Sequence, residues 1–303
     1  DLGPLVSDYD TAAANIRFRV GDASHGSVSL LPDGHTARFT PAAGYWGPAS
    51  FAFHASDATE DQAILAHYDF QPPDDPLDNL ATDVSGLERH ASIQETGIGS
   101  ANYTADVPSA LANSQSQSLR LTENGASGAA KLNRLIGTNE FNFQMDDWTA
   151  SGWFKRAATS NLDIIVHLGS GSGLTGKNEL QARFDAGGNN LRLINDNASG
   201  NDVGIASTAG TNTWHHFAVT RDDGTLSFFV NGAHIGSDSN FVISADQTAP
   251  VSFGGNGSTS GYAPDRWFNG GLADLALFGR ALSAAEIGRL ATDSDVAHFN
   301  GQT

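Results

Sequence analysis

The chain contains no cysteine, one methionine and only three lysines, at positions 131, 155 and 177. The missing thiols exclude disulfides, thiolate zinc sites and cysteine nucleophiles together. Basic residues number 16 against 34 acidic ones, a formal net charge of −18. A surface of that sign is repelled by phosphate backbones and anionic lipid, so nucleic acid is excluded as a partner. No run approaches the roughly 18 consecutive apolar residues of a spanning helix, and membrane insertion is not expected. The sequence opens with Asp1 and without a charged-then-apolar segment. It is therefore expected to be a processed piece of a larger multidomain chain.

Several catalytic signatures are missing as well. A retaining glucanase needs two carboxylates about 5 Å apart, supplied on one strand face by Glu-x-Asp-x-x-Glu. The seven glutamates never fall in that string. The Gly-rich stretches at 169–176 and 254–261 lack the Gly-Lys-Ser/Thr ending of a phosphate loop. His215 and His216 are adjacent, so in a strand they point to opposite faces and cannot share one metal.

What remains is almost entirely β pattern. Apolar positions alternate at Ile16, Phe18 and Val20, at Val28 and Leu30, and at Phe51 and Phe53. That period predicts half-buried strands, and Pro32-Asp33-Gly34 predicts a hairpin turn between two of them. A polar, acidic stretch over 56–63 separates this segment from the apolar run at Ile64, and two domains are expected, 1–60 and 61–303. Beyond it, short strands alternate with Gly, Asn, Asp and Ser clusters. Phe217 and Val219, then Leu226, Phe228 and Val230, give one buried face to each strand of a hairpin turning at Asp223-Gly224. Trp153 and Trp214 are read as core residues of such strands. Only the end is helical: Ser283 and Glu286 have capping-box spacing, and Ile287 and Leu290 supply an apolar stripe.

The stretch SHGSVSLLPDGHTARFTPAAGYWGPASFAFHASD resembles a bacterial cadherin-like repeat, a spacer module. From 64 to 292 the chain resembles the laminin-G-like, concanavalin A-like jelly-roll family. DWTASGWFKR, WHHFAVTRDDGTLSFFVNGAHIG and GLADLALFGRALSAAEIGRL match its tryptophan strand, central hairpin and closing strand plus helix, in the family's order. The resemblance implies an all-β architecture, a small Ig/cadherin-like sandwich followed by a concanavalin-like β-jelly-roll sandwich with one short C-terminal helix. It also implies a calcium ion held by Asp69, the Asp83 loop and Asp274. Calcium takes six to eight oxygen ligands, so two or three aspartates with carbonyls and water would suffice.

The expected function is a non-catalytic, calcium-dependent glycan-binding module of a secreted or surface bacterial protein, located outside the cell. Its partner is then a polysaccharide or cell-surface glycan. Tyr262, Asp265, Arg266 and Trp267 offer one loop with an aromatic face and planar polar groups for a sugar. The rival reading of Trp267 is a cap on the edge of the core. Two alternatives stand beside the module: an adhesin or matrix segment, and a lyase or hydrolase of the same fold. For a lyase, Glu179, Gln181 and Arg183 share one strand face, but no partner strand bearing Tyr or His is recognisable.

Overall fold

A computed structural model of the chain describes residues 1–6, 16–31, 33–56, 64–71, 80–95, 100–122, 130–134, 147–157, 163–169, 179–185, 188, 190–195, 203–206, 209–239, 251–255, 268–292 and 296. Two compact units are present, Asp1–Ala63 and Ile64–Thr303.

In the first unit, β1 (Arg17–Ser24) pairs antiparallel with β4 (Ser50–Ser56), and β2 (Gly26–Leu30) pairs with β3 (Ala37–Pro41). The alternation places Phe18 in the interior, 6.5 Å between ring centroids from Phe53. The turn between β2 and β3 is built as its residues predict. Gly34 takes φ +75°, and the Asp33 carboxylate accepts the backbone N–H groups of His35 and Thr36.

The second unit is a sandwich of two antiparallel sheets. The early strands are β5 (Ile64–Tyr68), β6 (Leu80–Ala81), β7 (Ala91–Glu95), β8 (Ser100–Thr104), β9 (Ser118–Thr122) and β10 (Ala130–Arg134). Then come β11 (Trp148–Arg156), β12 (Asp163–Gly169), β13 (Glu179–Phe184), β14 (Asn190–Asn195) and β15 (Val203–Ala206). The last are β16 (His215–Asp222), β17 (Thr225–Val230), β18 (Ala233–Asp238), β19 (Val251–Phe253) and β20 (Gly270–Phe278), followed by α1 (Ala284–Leu290). Sheet one runs β18-β17-β16-β11-β20-β9-β8, with β5 also paired to β20, and sheet two runs β15-β14-β13-β12-β19-β10-β7-β6. The first and last strands of the unit therefore lie side by side.

The core lies between the sheets. Phe217, Val219, Leu226, Phe228 and Val230 all join it, in the register Phe217↔Val230 and Val219↔Phe228. Their hairpin turns with φ +44° at Asp223 and +80° at Gly224, the pair of left-handed residues that matches strand twist. Trp148 and Phe154 enter the core from β11, and Phe268 enters it just before β20. Trp153 does not. It faces the opposite side of sheet one, in a small cluster with Leu111 and Ala273, against which Trp214 packs half-buried. Trp153 is thus buried as expected, although its cluster lies on the outward side of sheet one, whereas Trp214 stands just before β16 and is only half-buried; strand alternation separates two faces without saying what packs on each.

Helix α1 forms as its sequence predicts. The Ser283 hydroxyl accepts the Glu286 N–H, and the Glu286 carboxylate accepts the Ser283 N–H. Ile287 and Leu290 bury against Ala218, Ala276 and Phe278, covering part of sheet one's outward face.

Candidate functional site

The three aspartates assigned to calcium gather around one histidine. Asp274 takes φ +51° at a bulge where β20 passes β11, a conformation Asp tolerates better than most residues. Gly152 faces that bulge, where a Cβ would stand 3.2 Å from the Asp274 carbonyl. The bulge aims the Asp274 carboxylate at β5, and Oδ1 accepts from His67 Nε2 at 2.7 Å and from Gln115 Nε2 at 2.8 Å. Burial alone would lower the His67 pKa. The hydrogen bond and charge of Asp274, aided by Asp69 and Asp83, outweigh it and raise the imidazole above its ordinary value.

Asp83 is committed to its own loop. Its Oδ1 accepts the N–H groups of His67 and Ser85, and its Oδ2 accepts the Ser85 hydroxyl and the Arg89 N–H. Burial favours the neutral acid, but these donors prevail and hold its pKa below the usual carboxylate range. Asp69 Oδ1 accepts the Gln71 N–H at 3.1 Å. Four donors use the lone pairs that Asp83 would offer a cation, and an imidazole and an amide donate to the inner oxygen of Asp274. Among the described residues no group of three His, Cys, Asp or Glu side chains is disposed to hold a metal ion. Both oxygens of Asp83, and Oδ1 of Asp274 and of Asp69, already accept protein donors, so the set as arranged is not an open calcium cage.

Tyr262, Asp265, Arg266 and Trp267, expected to contact a sugar, lie outside the described residues.

On sheet two the structure supplies the partner strand missing from the lyase pattern. His167 of β12 stands opposite Gln181 of β13 and opposite Ser252 of β19, while their neighbours Val166, Leu168, Leu180, Ala182 and Val251 point into the core. Gln181 and Arg183 therefore face outward with His167, and Arg183 Nη1 donates to Gln181 Oε1 at 2.9 Å. His167, Gln181 and Ser252 have no solvent-exposed surface. A general base must reach the proton it removes, and this histidine is sealed. The side chain of Glu179 is outside the described set.

Sheet one carries a polar row that water does reach. Asn102, Arg120, Gly271 and Lys155 are successive cross-strand partners on β8, β9, β20 and β11. Core residues Leu119, Leu121, Leu272 and Phe154 alternate with them, so the row faces outward. The six-membered ring of Trp214 occupies the space above Gly271: an added Cβ would stand 2.6 Å from Cη2 and 2.9 Å from Cζ2. Glycine is needed there for the indole to lie on the sheet. Asp106 pins the other edge. Its Oδ1 accepts Trp214 Nε1 at 3.0 Å, and its Oδ2 accepts Lys155 Nζ at 2.8 Å. Burial pushes the Asp106 pKa up, and the Lys155 and Trp214 donors more than reverse it. Arg120 reaches Asn269, donating from Nη2 to Oδ1 at 3.4 Å. The result is a half-buried indole pinned by Asp106, with the Arg120 strand on one side and the Lys155 strand on the other. Sequence alternation alone pointed to none of this; the signal was the Gly270-Gly271 pair at the head of an otherwise apolar strand.

Two facing sheets with this strand order define a concanavalin-type sandwich. The chain belongs to the concanavalin A-like lectin/glucanases superfamily, whose family model matches residues 124–288, and a bacterial Ig domain model matches residues 2–66. No curated protein matches the chain. Among solved structures it is similar to domain 4 of AbnA, a GH43 extracellular arabinanase from Geobacillus stearothermophilus, in complex with arabinotriose. That match has 18% identity and a TM-score of 0.53, over 76% of this chain and 98% of that one. The binding domain of Paraclostridial Mosquitocidal Protein 1 matches at 17% identity and TM-score 0.52, over 77% of this chain and 52% of that one. The binding domain of botulinum neurotoxin DC, in complex with rat synaptotagmin II, matches at 16% identity and TM-score 0.52, over 78% and 53%. The chain thus spans about half the length of these toxin binding domains. At such identities the likeness is one of fold.

Proposed function

We propose that the chain is a non-catalytic glycan-binding module of a larger secreted or cell-surface protein. The observation that carries this reading is the Trp214 indole, laid on Gly271 in a solvent-facing row with Asn102, Arg120 and Lys155. An aromatic face takes the C–H face of a sugar ring, and flanking amide, guanidinium and ammonium groups take its hydroxyls. The segment bearing Tyr262, Asp265, Arg266 and Trp267 is proposed as a second contact region. Domain 4 of the arabinanase, with its arabinotriose, shares this fold and supports the reading. The absence of Glu-x-Asp-x-x-Glu and the sealed His167 favour binding over turnover.

The decisive experiment is a glycan array with the full chain, followed by calorimetry on each positive and by reducing-end and unsaturated-product assays. Saturable binding without turnover is expected, with affinity lost in Trp214→Ala. Turnover that disappears in His167→Ala or Arg183→Ala would replace the module by a lyase. The bacterial Ig domain over residues 2–66 favours an adhesin as the second reading, in which the ligand is a host or matrix protein. A protein-only ligand and a blank array would select it.

A further inference from the structure

The charge of the Trp214 row is opposite to that of the chain. The protein carries 34 acidic and 16 basic residues, with only three lysines. Yet Arg120 and Lys155 flank one glycine on neighbouring strands, and the only acidic side chain that contacts the row among the described residues is Asp106. Adjacent strands lie about 4.8 Å apart, so both cations start about that distance from the indole's seat on Gly271. They are not equivalent. Lys155 is bound by both carboxylate oxygens of Asp106, at 2.8 and 3.1 Å, and its charge is spent locally. Arg120 donates to a neutral amide, the Asn269 oxygen, through a long 3.4 Å contact. Among the described residues no carboxylate hydrogen-bonds to its guanidinium, which meets Asp106 only through space.

We propose that this site binds a sugar bearing a carboxylate, a uronate, with the ring stacked on Trp214 and the carboxylate received by Arg120. The inference rests on the glycan-binding reading above and adds the ligand's class. A guanidinium presents parallel N–H donors that match the two oxygens of a planar carboxylate, a pairing a neutral hydroxymethyl group cannot reproduce. Lys155 and Asp106 act as a fixed strut: the ion pair holds the carboxylate that accepts Trp214 Nε1 and so sets the tilt of the indole. Asn102, opposite Arg120 on the edge strand, extends the polar row toward the next sugar.

The test pairs each acidic oligosaccharide with its own carboxyl-reduced product, which has the same linkages and no charge. Oligogalacturonate, oligoalginate and hyaluronan oligosaccharides form the panel, titrated calorimetrically into the full chain. At least one acidic member is expected to bind about tenfold or more tightly than its reduced partner at low salt, the worth of a hydrogen bond to a charged group. The preference should shrink as salt is raised. Arg120→Gln should abolish the preference, weakening the acidic member far more than its neutral partner, and Arg120→Lys should restore part of it. Trp214→Ala should weaken acidic and neutral members alike. Melting curves of each variant separate loss of a contact from loss of fold.

Equal affinity for acidic and reduced partners across the panel would overturn the uronate inference and leave the glycan-binding reading standing. A preference retained in a folded Arg120→Gln would overturn the role of Arg120. Neutral and acidic glycans both failing to bind would remove the underlying reading as well.

Discussion

The outward faces of the two sheets make an instructive pair. Both carry polar side chains in cross-strand rows. On sheet two, Ser252, His167 and Gln181 form a file with no contact with water, while on sheet one Asn102, Arg120, Lys155 and Trp214 remain partly or fully accessible. A sealed polar group must find protein partners and then contributes to stability and to a unique register. An accessible one keeps its solvent exchange, costs little to leave unpaired and is available to a ligand. The same residue types thus serve structure on one sheet and recognition on the other. The middle of sheet one shows the transition, because His216 and Ser151 there are buried and hydrogen-bonded to each other at 3.0 Å.

This contrast can be broken or sharpened by measurement. The largest effect is expected at Arg156, whose Nε donates to Asp163 Oδ2 at 2.8 Å with both side chains essentially inaccessible. Its guanidinium also lies 4.0 Å over the Phe184 ring. Arg156→Met strands a buried carboxylate and should cost about 3 to 5 kcal/mol in urea unfolding. A cost below about 1 kcal/mol would mean that water reaches this pair after all.

Next is a pH effect from the sealed part of sheet one. Burial holds the His216 pKa down at about 4, against 6.5 for the free side chain. Its folded-state pKa is depressed, so below about 6.5 the unfolded chain takes up a proton that the native state refuses until about 4. Stability should therefore be full above that window and fall on acidification through it, by a few kcal/mol at most. The slope of unfolding free energy against pH between 6.5 and 4 should flatten in His216→Gln. A slope unchanged by the substitution would assign the acid lability to other groups.

Gln181→Leu should cost about 1 to 3 kcal/mol, since Arg183 loses an acceptor inside a covered row. Glycan affinity should not change. Lost affinity with unaltered melting would move the binding surface from sheet one to sheet two. The smallest effect on stability is expected for Trp267→Ala, within about 0.5 kcal/mol, together with weaker glycan binding if its loop touches ligand. A large drop in melting temperature with binding intact would make Trp267 a cap on the core.

Much of this architecture was legible in the residues because it depends on local chemistry. The hairpins at Asp33-Gly34 and Asp223-Gly224 follow from which residues accept positive φ. The capping box of α1 follows from a serine and a glutamate three positions apart. The hairpin core follows from a period of two, and the motifs of the jelly roll carried the rest of the fold. The site was far less legible. Strand alternation identified two faces on β11 but could not say that Trp153 and Lys155 belong to the outer one, which is decided by what packs against each side. Asp274 was expected to act with Asp69 and Asp83 on a cation, whereas the partners its Oδ1 takes are His67 and Gln115, whose sequence separations from it are 207 and 159 residues.

By itself, then, the sequence determined the turns, the caps, the alternating strands and the family of sandwich, since each is written within a few consecutive residues. Tertiary structure alone decided that Gly271 would carry the Trp214 indole between Arg120 and Lys155, and that His167 would meet Gln181 out of water's reach. Those outcomes depend on strand register and on the burial of one face, which set the hydrogen-bond partners and the dielectric around each polar group and which no local pattern encodes.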